Sequence, residues 1–189
     1  MKKDIILCGV GGQGILSIAT IIGEAATKAN INLKQAEVHG MSQRGGDVQS
    51  NLRLSTDTIY SDLIPQGGAD VIISMEPMEA LRYLPYLAKD GVIVTSNKPF
   101  VNIPNYPDSQ QLFDELAALP NKVVMLDIEA VAKDAGSARS ANVVLLGMAA
   151  KYIEILSSEA LREAVATIFA RKGEAVVEAN LKAFDMGAR

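Results

Sequence analysis

Short apolar runs rich in β-branched residues alternate along the chain with stretches whose apolar positions recur at helical spacing, the pattern of α/β layering. Asp4–Cys8 is the first predicted strand. From Gln13 to about Ala29, the residues Ile15, Ile18, Ala19, Ile22 and Ala26 predict a helix buried over most of its surface. Leu33–Val38 predicts a second strand. Val48, Ser50, Leu52 and Leu54 then alternate with polar residues, and Ser55-Thr56-Asp57 reads as a turn into Thr58–Tyr60. That pattern is a β-hairpin, so the sheet is expected to be mixed although mostly parallel.

Ala69–Ser74 predicts a further strand, and Pro77 opens a helix that runs towards Leu87. Pro85 falls inside that pattern and should kink or end it. Gly91–Thr95 and Val123–Asp127 return to the sheet. Between them, residues 97–107 carry Pro99, Pro104 and Pro107 and read as an irregular excursion. The last third is helical. Asn142–Ile155 is apolar almost all round, a core or interface helix, while Leu161, Val165, Ile168 and Phe169 mark one face of the next. Val177, Leu181 and Phe184 mark one face of the last. The expectation is one three-layer, Rossmann-like α/β domain over residues 1–189, without repeats or a dividing linker.

Composition narrows the chemistry. A chain of 189 residues with a formal net charge of −4 lacks the basic footprint of a nucleic-acid binder. No stretch has the length of a membrane span or the pattern of a secretion signal, so a cytoplasmic protein is expected. Cys8 is the single cysteine and His39 the single histidine. An iron–sulfur cluster takes about four thiolates, so this chain supplies none, and a zinc site of thiolates and most imidazole metal sites are excluded with it.

Two glycine-rich segments carry the candidate site. Gly9-Val10-Gly11-Gly12-Gln13-Gly14 lies between the first strand and the first helix, where main-chain N–H groups can face a phosphate. The spacing also serves tight turning and close packing alone. A dinucleotide site would want an acidic residue roughly twenty positions on, and Glu37 is in range. The second segment, His39 to Gly46, offers an imidazole, the Ser42 hydroxyl, the Gln43 amide and the Arg44 guanidinium among glycines. Arg44 can fork onto a phosphate or carboxylate. Both segments follow strand C-termini, the edge where α/β sheets bind ligands. Gly11, Gly12, Gln13, Gly14, His39, Ser42, Gln43, Arg44, Gly45 and Gly46 are therefore the cofactor-binding candidates. No residue stands out as catalytic.

These motifs, with the predicted hairpin over Val48–Tyr60, resemble the gamma domain of 2-oxoacid:ferredoxin oxidoreductases. The run Glu37-Val38-His39-Gly40-Met41-Ser42-Gln43-Arg44-Gly45-Gly46 most resembles the small (beta) subunits of the indolepyruvate branch; relatives acting on pyruvate or branched-chain acids tend to differ before the Arg-Gly-Gly. Ile64–Asp70, Met75–Leu81 and Glu178–Phe184 are similar as well, so the resemblance spans nearly the whole chain. It implies a large (alpha) partner subunit holding thiamine diphosphate, its magnesium and the iron–sulfur clusters, with ferredoxin reached through that subunit and coenzyme A as co-substrate. Consistently, this chain has no evident Gly-Asp-Gly…Asn motif for the thiamine diphosphate metal. The implied reaction converts indolepyruvate, coenzyme A and oxidised ferredoxin to indoleacetyl-coenzyme A, carbon dioxide and reduced ferredoxin. A hetero-oligomer follows, with a homodimer open to the chain when alone.

Two other readings stay open. One is a free-standing NAD-binding Rossmann oxidoreductase with Glu37 on the ribose, although no Tyr-x-x-x-Lys arrangement surrounds Tyr83, Tyr86 or Tyr152. The other is a non-catalytic scaffold whose Asn142–Ile155 helix mediates dimerisation.

Overall fold

The computed structural model describes residues 1–39 and 45–189, with His39 described in its backbone only. The apolar runs form six strands among the described residues: β1 (Lys2–Val10), β2 (Asn32–His39), β3 (Asp47–Ser55), β4 (Ala69–Ser74), β5 (Leu87–Ser96) and β6 (Lys122–Leu126). Their order in the sheet is β2-β3-β1-β4-β5-β6. β1, β4, β5 and β6 pair in parallel, whereas β3 runs antiparallel to both β1 and β2.

The hairpin exists, but with a different partner from the one the alternation suggested. β3 pairs back onto β2, Asn32 opposite Ser55 and His39 opposite Val48, and Thr58–Tyr60 forms no strand. The reason is that both edges of β3 are paired while one face packs on the core. β3 is wedged between two strands, and Leu52 and Leu54 are fully buried against the core. A local partner at 58–60 would have left one long side of β3 unpaired.

Among the described residues seven α-helices flank this sheet: α1 (Ile15–Lys28), α2 (Pro77–Arg82), α3 (Ser109–Ala117), α4 (Ile128–Ala135), α5 (Ala141–Ile153), α6 (Ser158–Phe169) and α7 (Glu174–Gly187). Alternation along β1 divides them into layers. Ile5 and Leu7 enter one cluster with α1, α4, α5, α6 and α7; Ile6 and Cys8 enter another with Ala80 of α2 and Leu112 and Leu116 of α3. Burying one such Ile or Leu contributes about 1.5–3 kcal/mol, so β1 anchors both layers. Pro77 sits at the start of α2 as expected, and Pro85 lies in a 3-10 turn, Leu84–Tyr86, that follows the helix end.

α3 falls where no helix was expected, and α4 opens the helical last third, before the first helix picked out there. They are short, and each buries few side chains: Leu112 and Leu116 in α3, and Ile128, Ala132 and Ala135 in α4. α5 is the central helix of its layer. It packs on β4 and β5 and against α1, α4, α6 and α7, which buries Val143 through Ala150. Its apolar surface is therefore consumed within the chain, and it offers no dimerisation face. Where α5 crosses α7, glycines allow near-contact of the backbones: a Cβ at Gly147 would lie 2.2 Å from the Phe184 carbonyl oxygen, and one at Gly187 2.1 Å from that of Val144.

Candidate functional site

β1 ends in a turn that is bonded mostly to itself. The Gln13 N–H donates to the Val10 carbonyl at 3.1 Å, and the Gln13 side-chain oxygen accepts from the Val10 N–H at 2.7 Å. Gly14 caps α1 with a left-handed φ of 87°, which a glycine adopts without strain. Its carbonyl accepts from the Ser17 N–H and from Asn142 Nδ2, both at 3.1 Å.

The two glycine segments meet directly. The Gly11 N–H donates to the Gly46 carbonyl at 2.8 Å, and Asn102 Nδ2 donates to the Gly45 carbonyl at 2.6 Å. His39 closes β2. Ser42, Gln43 and Arg44 lie outside the described residues, so the geometry bears on Gly11–Gly14, Gly45 and Gly46 of the candidates. Because the Gly11 and Gln13 N–H groups are engaged, Gly12 and Gly14 hold the turn's N–H groups without a partner among the described residues.

The segment carrying Asn102 is fixed by a carboxylate that sequence reasoning missed. Glu76 is fully buried at the N-terminus of α2. It accepts from the Glu79 N–H at 3.0 Å, from the Phe100 N–H at 3.2 Å and from the Tyr106 hydroxyl. Burial and this contact push the Tyr106 phenol up. Burial likewise raises the neighbouring Glu79 carboxyl, although Arg82 donates to it at 2.9 Å. Glu76 thus ties the irregular excursion of residues 97–107 to the C-terminal edge of the parallel strands.

Beside the turn opens a cavity of about 700 Å³. Gly12, Gln13, Gly14 and Ser17 line it from β1 and α1, and Ser137–Asn142 from the start of α5. Lys133, Arg139 and Lys172 bring positive charge, Glu129 a carboxylate, and Met75, Phe100, Phe169 and Val176 apolar surface. None of these three cations stood out in the sequence, because they come from three separate segments.

The strand order bears on the dinucleotide reading. In that arrangement the acidic residue lies on the strand next to the glycine turn. Here β3 separates β2, which carries Glu37, from β1. With neighbouring strands about 4.8 Å apart, β2 stands about twice that distance from β1. Nor do the residues fit an iron–sulfur cluster: the lone Cys8 is fully buried, and burial pushes its thiol up.

Residues 4–189 match the model of the pyruvate ferredoxin/flavodoxin oxidoreductase family. The chain belongs to this family. Similar members include the indolepyruvate oxidoreductase subunit IorB of Archaeoglobus fulgidus, 36% identical, with 99% of this chain and 94% of that protein covered. The subunit of the same name from Pyrococcus horikoshii is 38% identical, covering 100% and 96%. Four relatives named for ketoisovalerate, 2-oxoglutarate or pyruvate/ketoisovalerate substrates are 28%, 24%, 26% and 23% identical. Among solved structures, the gamma subunit of a keto/oxoacid ferredoxin oxidoreductase from Geobacter sulfurreducens superposes with a TM-score of 0.71 at 27% identity, covering 98% of this chain and 96% of that one. The mixed α/β sheet is the fold of these family members, and the chain is an oxidoreductase subunit of their class.

Proposed function

We propose that the chain is the small subunit of an indolepyruvate, or aryl pyruvate, ferredoxin oxidoreductase, folded as a single gamma-type domain over residues 1–189. The observation that carries the substrate is the graded similarity: 36% and 38% identity to indolepyruvate oxidoreductase subunits over nearly their whole length, against 23–28% to relatives named for other 2-oxoacids. Its partner is a large subunit that holds thiamine diphosphate, magnesium and iron–sulfur clusters, since one buried cysteine cannot build a cluster. Coenzyme A is the co-substrate and ferredoxin the electron acceptor. The complex works in the cytoplasm, in anaerobic amino-acid catabolism.

In this reading the joined glycine segments, Gly11–Gly14 and His39–Gly46, form a polar edge that faces the large subunit. Arg44 receives coenzyme A phosphates there, together with the N–H groups of Gly12 and Gly14, which have no partner among the described residues. Anaerobic purification of the tagged chain with its partner, followed by indolepyruvate- and coenzyme A-dependent dye reduction, tests this function. Activity that requires both subunits supports it; a complex that prefers pyruvate or ketoisovalerate refutes the substrate. Arg44→Ala should raise the apparent KM for coenzyme A, and an unchanged KM in an intact complex leaves the loop a docking role only.

A further inference from the structure

Gly45, Gly46 and Asp47 follow Arg44 directly in the chain, and each is held by a different segment. The Gly45 carbonyl accepts from Asn102 Nδ2 at 2.6 Å, and the Gly46 carbonyl from the Gly11 N–H at 2.8 Å. The Asp47 carboxylate accepts from the Tyr83 hydroxyl at 3.3 Å. Gly11 and Tyr83 are set by the ends of β1 and α2. Asn102 makes the described bond nearest to Arg44 in the chain, yet it belongs to neither a strand nor a helix.

Asn102 is instead placed by one carboxylate. Oε1 of the fully buried Glu76 accepts from the Phe100 N–H at 3.2 Å and from the Tyr106 hydroxyl, so the stretch that carries Asn102 is tied at both ends. Oε2 accepts from the Glu79 N–H at 3.0 Å, which fixes the carboxylate to α2. Bonds to a carboxylate are the stronger kind, and burial keeps water from competing for them.

The amide itself is only half used. Asn102 Oδ1 is buried and has no partner among the described residues. Buried polar atoms are nearly always paired, so a side chain kept only to stabilise its own loop should have both ends satisfied. Here the amide is held for its donor, which goes to Gly45.

From this arrangement we infer that Asn102 is a positioning residue: it sets where Arg44 stands by gripping the adjoining Gly45 carbonyl, and Glu76 with Tyr106 sets where Asn102 stands. This role rests on the proposed function, in which Arg44 receives the phosphates of coenzyme A. Asn102 acts through the chain rather than on the ligand, and a misplacement of about 1 Å passed along in this way costs up to about a hundredfold.

The two-subunit complex carrying Asn102→Ala or Asn102→Asp tests the role. The aspartate keeps the size of the side chain but offers Gly45 an acceptor in place of the donor. Both should raise the apparent KM for coenzyme A about tenfold and leave that for indolepyruvate unchanged, and Tyr106→Phe, one step further back, should raise it about threefold. The cycle with Arg44→Ala decides between positioning and plain stability. In that background Asn102→Ala should add less than about twofold, because the residue it acts through is gone. Effects that multiply in full, or an unchanged KM in both Asn102 variants, overturn the role.

Amide exchange of the full chain separates this role from the proposed function. Asn102→Ala should speed exchange about tenfold over residues 39–47 and leave β4 unchanged. No acceleration overturns the role even in an active complex. Acceleration in a complex that does not oxidise indolepyruvate refutes the proposed function and keeps the grip of Asn102 on the Arg44 segment.

Discussion

Asn142, in the first turn of α5, donates its amide N–H to the carbonyl of Gly14 at 3.1 Å, across 128 positions of chain. That bond joins the glycine turn to the helical layer. A Cβ at Gly14 would fall 2.7 Å from Asn142 Nδ2, at a φ of +87°. Gly14→Ala should therefore cost about 1–3 kcal/mol from the backbone conformation and the clash together. Urea unfolding of Gly14→Ala, Asn142→Ala and the double variant checks this. The two losses should fall short of additive, because each removes the same contact; strict additivity would show that the sites are independent.

The ion pair of Asp4 and Arg53 holds the segment after β3. The two residues are cross-strand neighbours of β1 and β3, and Asp4 is fully buried. Arg53 Nε and Nη2 donate to its carboxylate at 2.8 and 3.1 Å, while Nη1 donates to the carbonyls of Ser61 and Leu63. Arg53→Met should cost about 1–3 kcal/mol, because the buried carboxylate loses two hydrogen bonds but keeps Lys2 Nζ at 2.7 Å. Asp4→Asn in the Arg53→Met background should restore part of that loss in the denaturation midpoint.

The close crossing of α5 and α7 gives a third test. Gly147→Ala must move α7, because the added carbon meets main-chain oxygen rather than a flexible side chain. A loss of about 1–3 kcal/mol is expected. Amide exchange should rise along α7 well before it rises along β1, and uniform acceleration would contradict a local effect.

Asp127 caps α4, accepting from the Ala130 N–H at 2.9 Å. That bond, aided by Lys98, holds its carboxyl below the usual carboxylate range. A lowered folded pKa contributes stability that is complete above the unfolded pKa and lost as pH falls through the folded value. Asp127→Ala should cost about 1 kcal/mol near neutrality. The gap between variant and parent melts should close on acidification below the ordinary carboxylate pKa.

Cys8 should be inert in the folded chain. Its side chain is fully buried, and burial raises the thiol far from its ordinary range. Labelling by a thiol-specific chromogenic reagent should proceed at the unfolding rate and become immediate in denaturant. Fast labelling of the native chain would contradict the packing around β1.

Much of this architecture was legible because burial leaves a local trace. Ile5–Cys8 reads as a strand because both faces of β1 are covered, and α1 reads as a helix because its buried positions repeat at helical spacing. Pro77 and Pro85 marked a helix start and a 3-10 turn through fixed φ and a missing donor. α3 and α4 left a weaker trace. Each is short and mostly polar, although Asp108 and Asp127 are their capping residues and could have announced them.

What the sequence determined by itself was the layering, the glycine turn after β1, and through its motifs the family. All of these depend on residues close together in the chain. The tertiary structure alone decided which strand pairs with which. Alternation along β3 says that one face is buried but not whose edge it meets, and the choice of β1 and β2 over residues 58–60 came from closing both edges at once. It alone brought Lys133, Arg139, Ser140 and Lys172 to one cavity beside the turn. These residues share no local pattern; they converge because α4 to α7 must bury their apolar faces on one side of the same sheet.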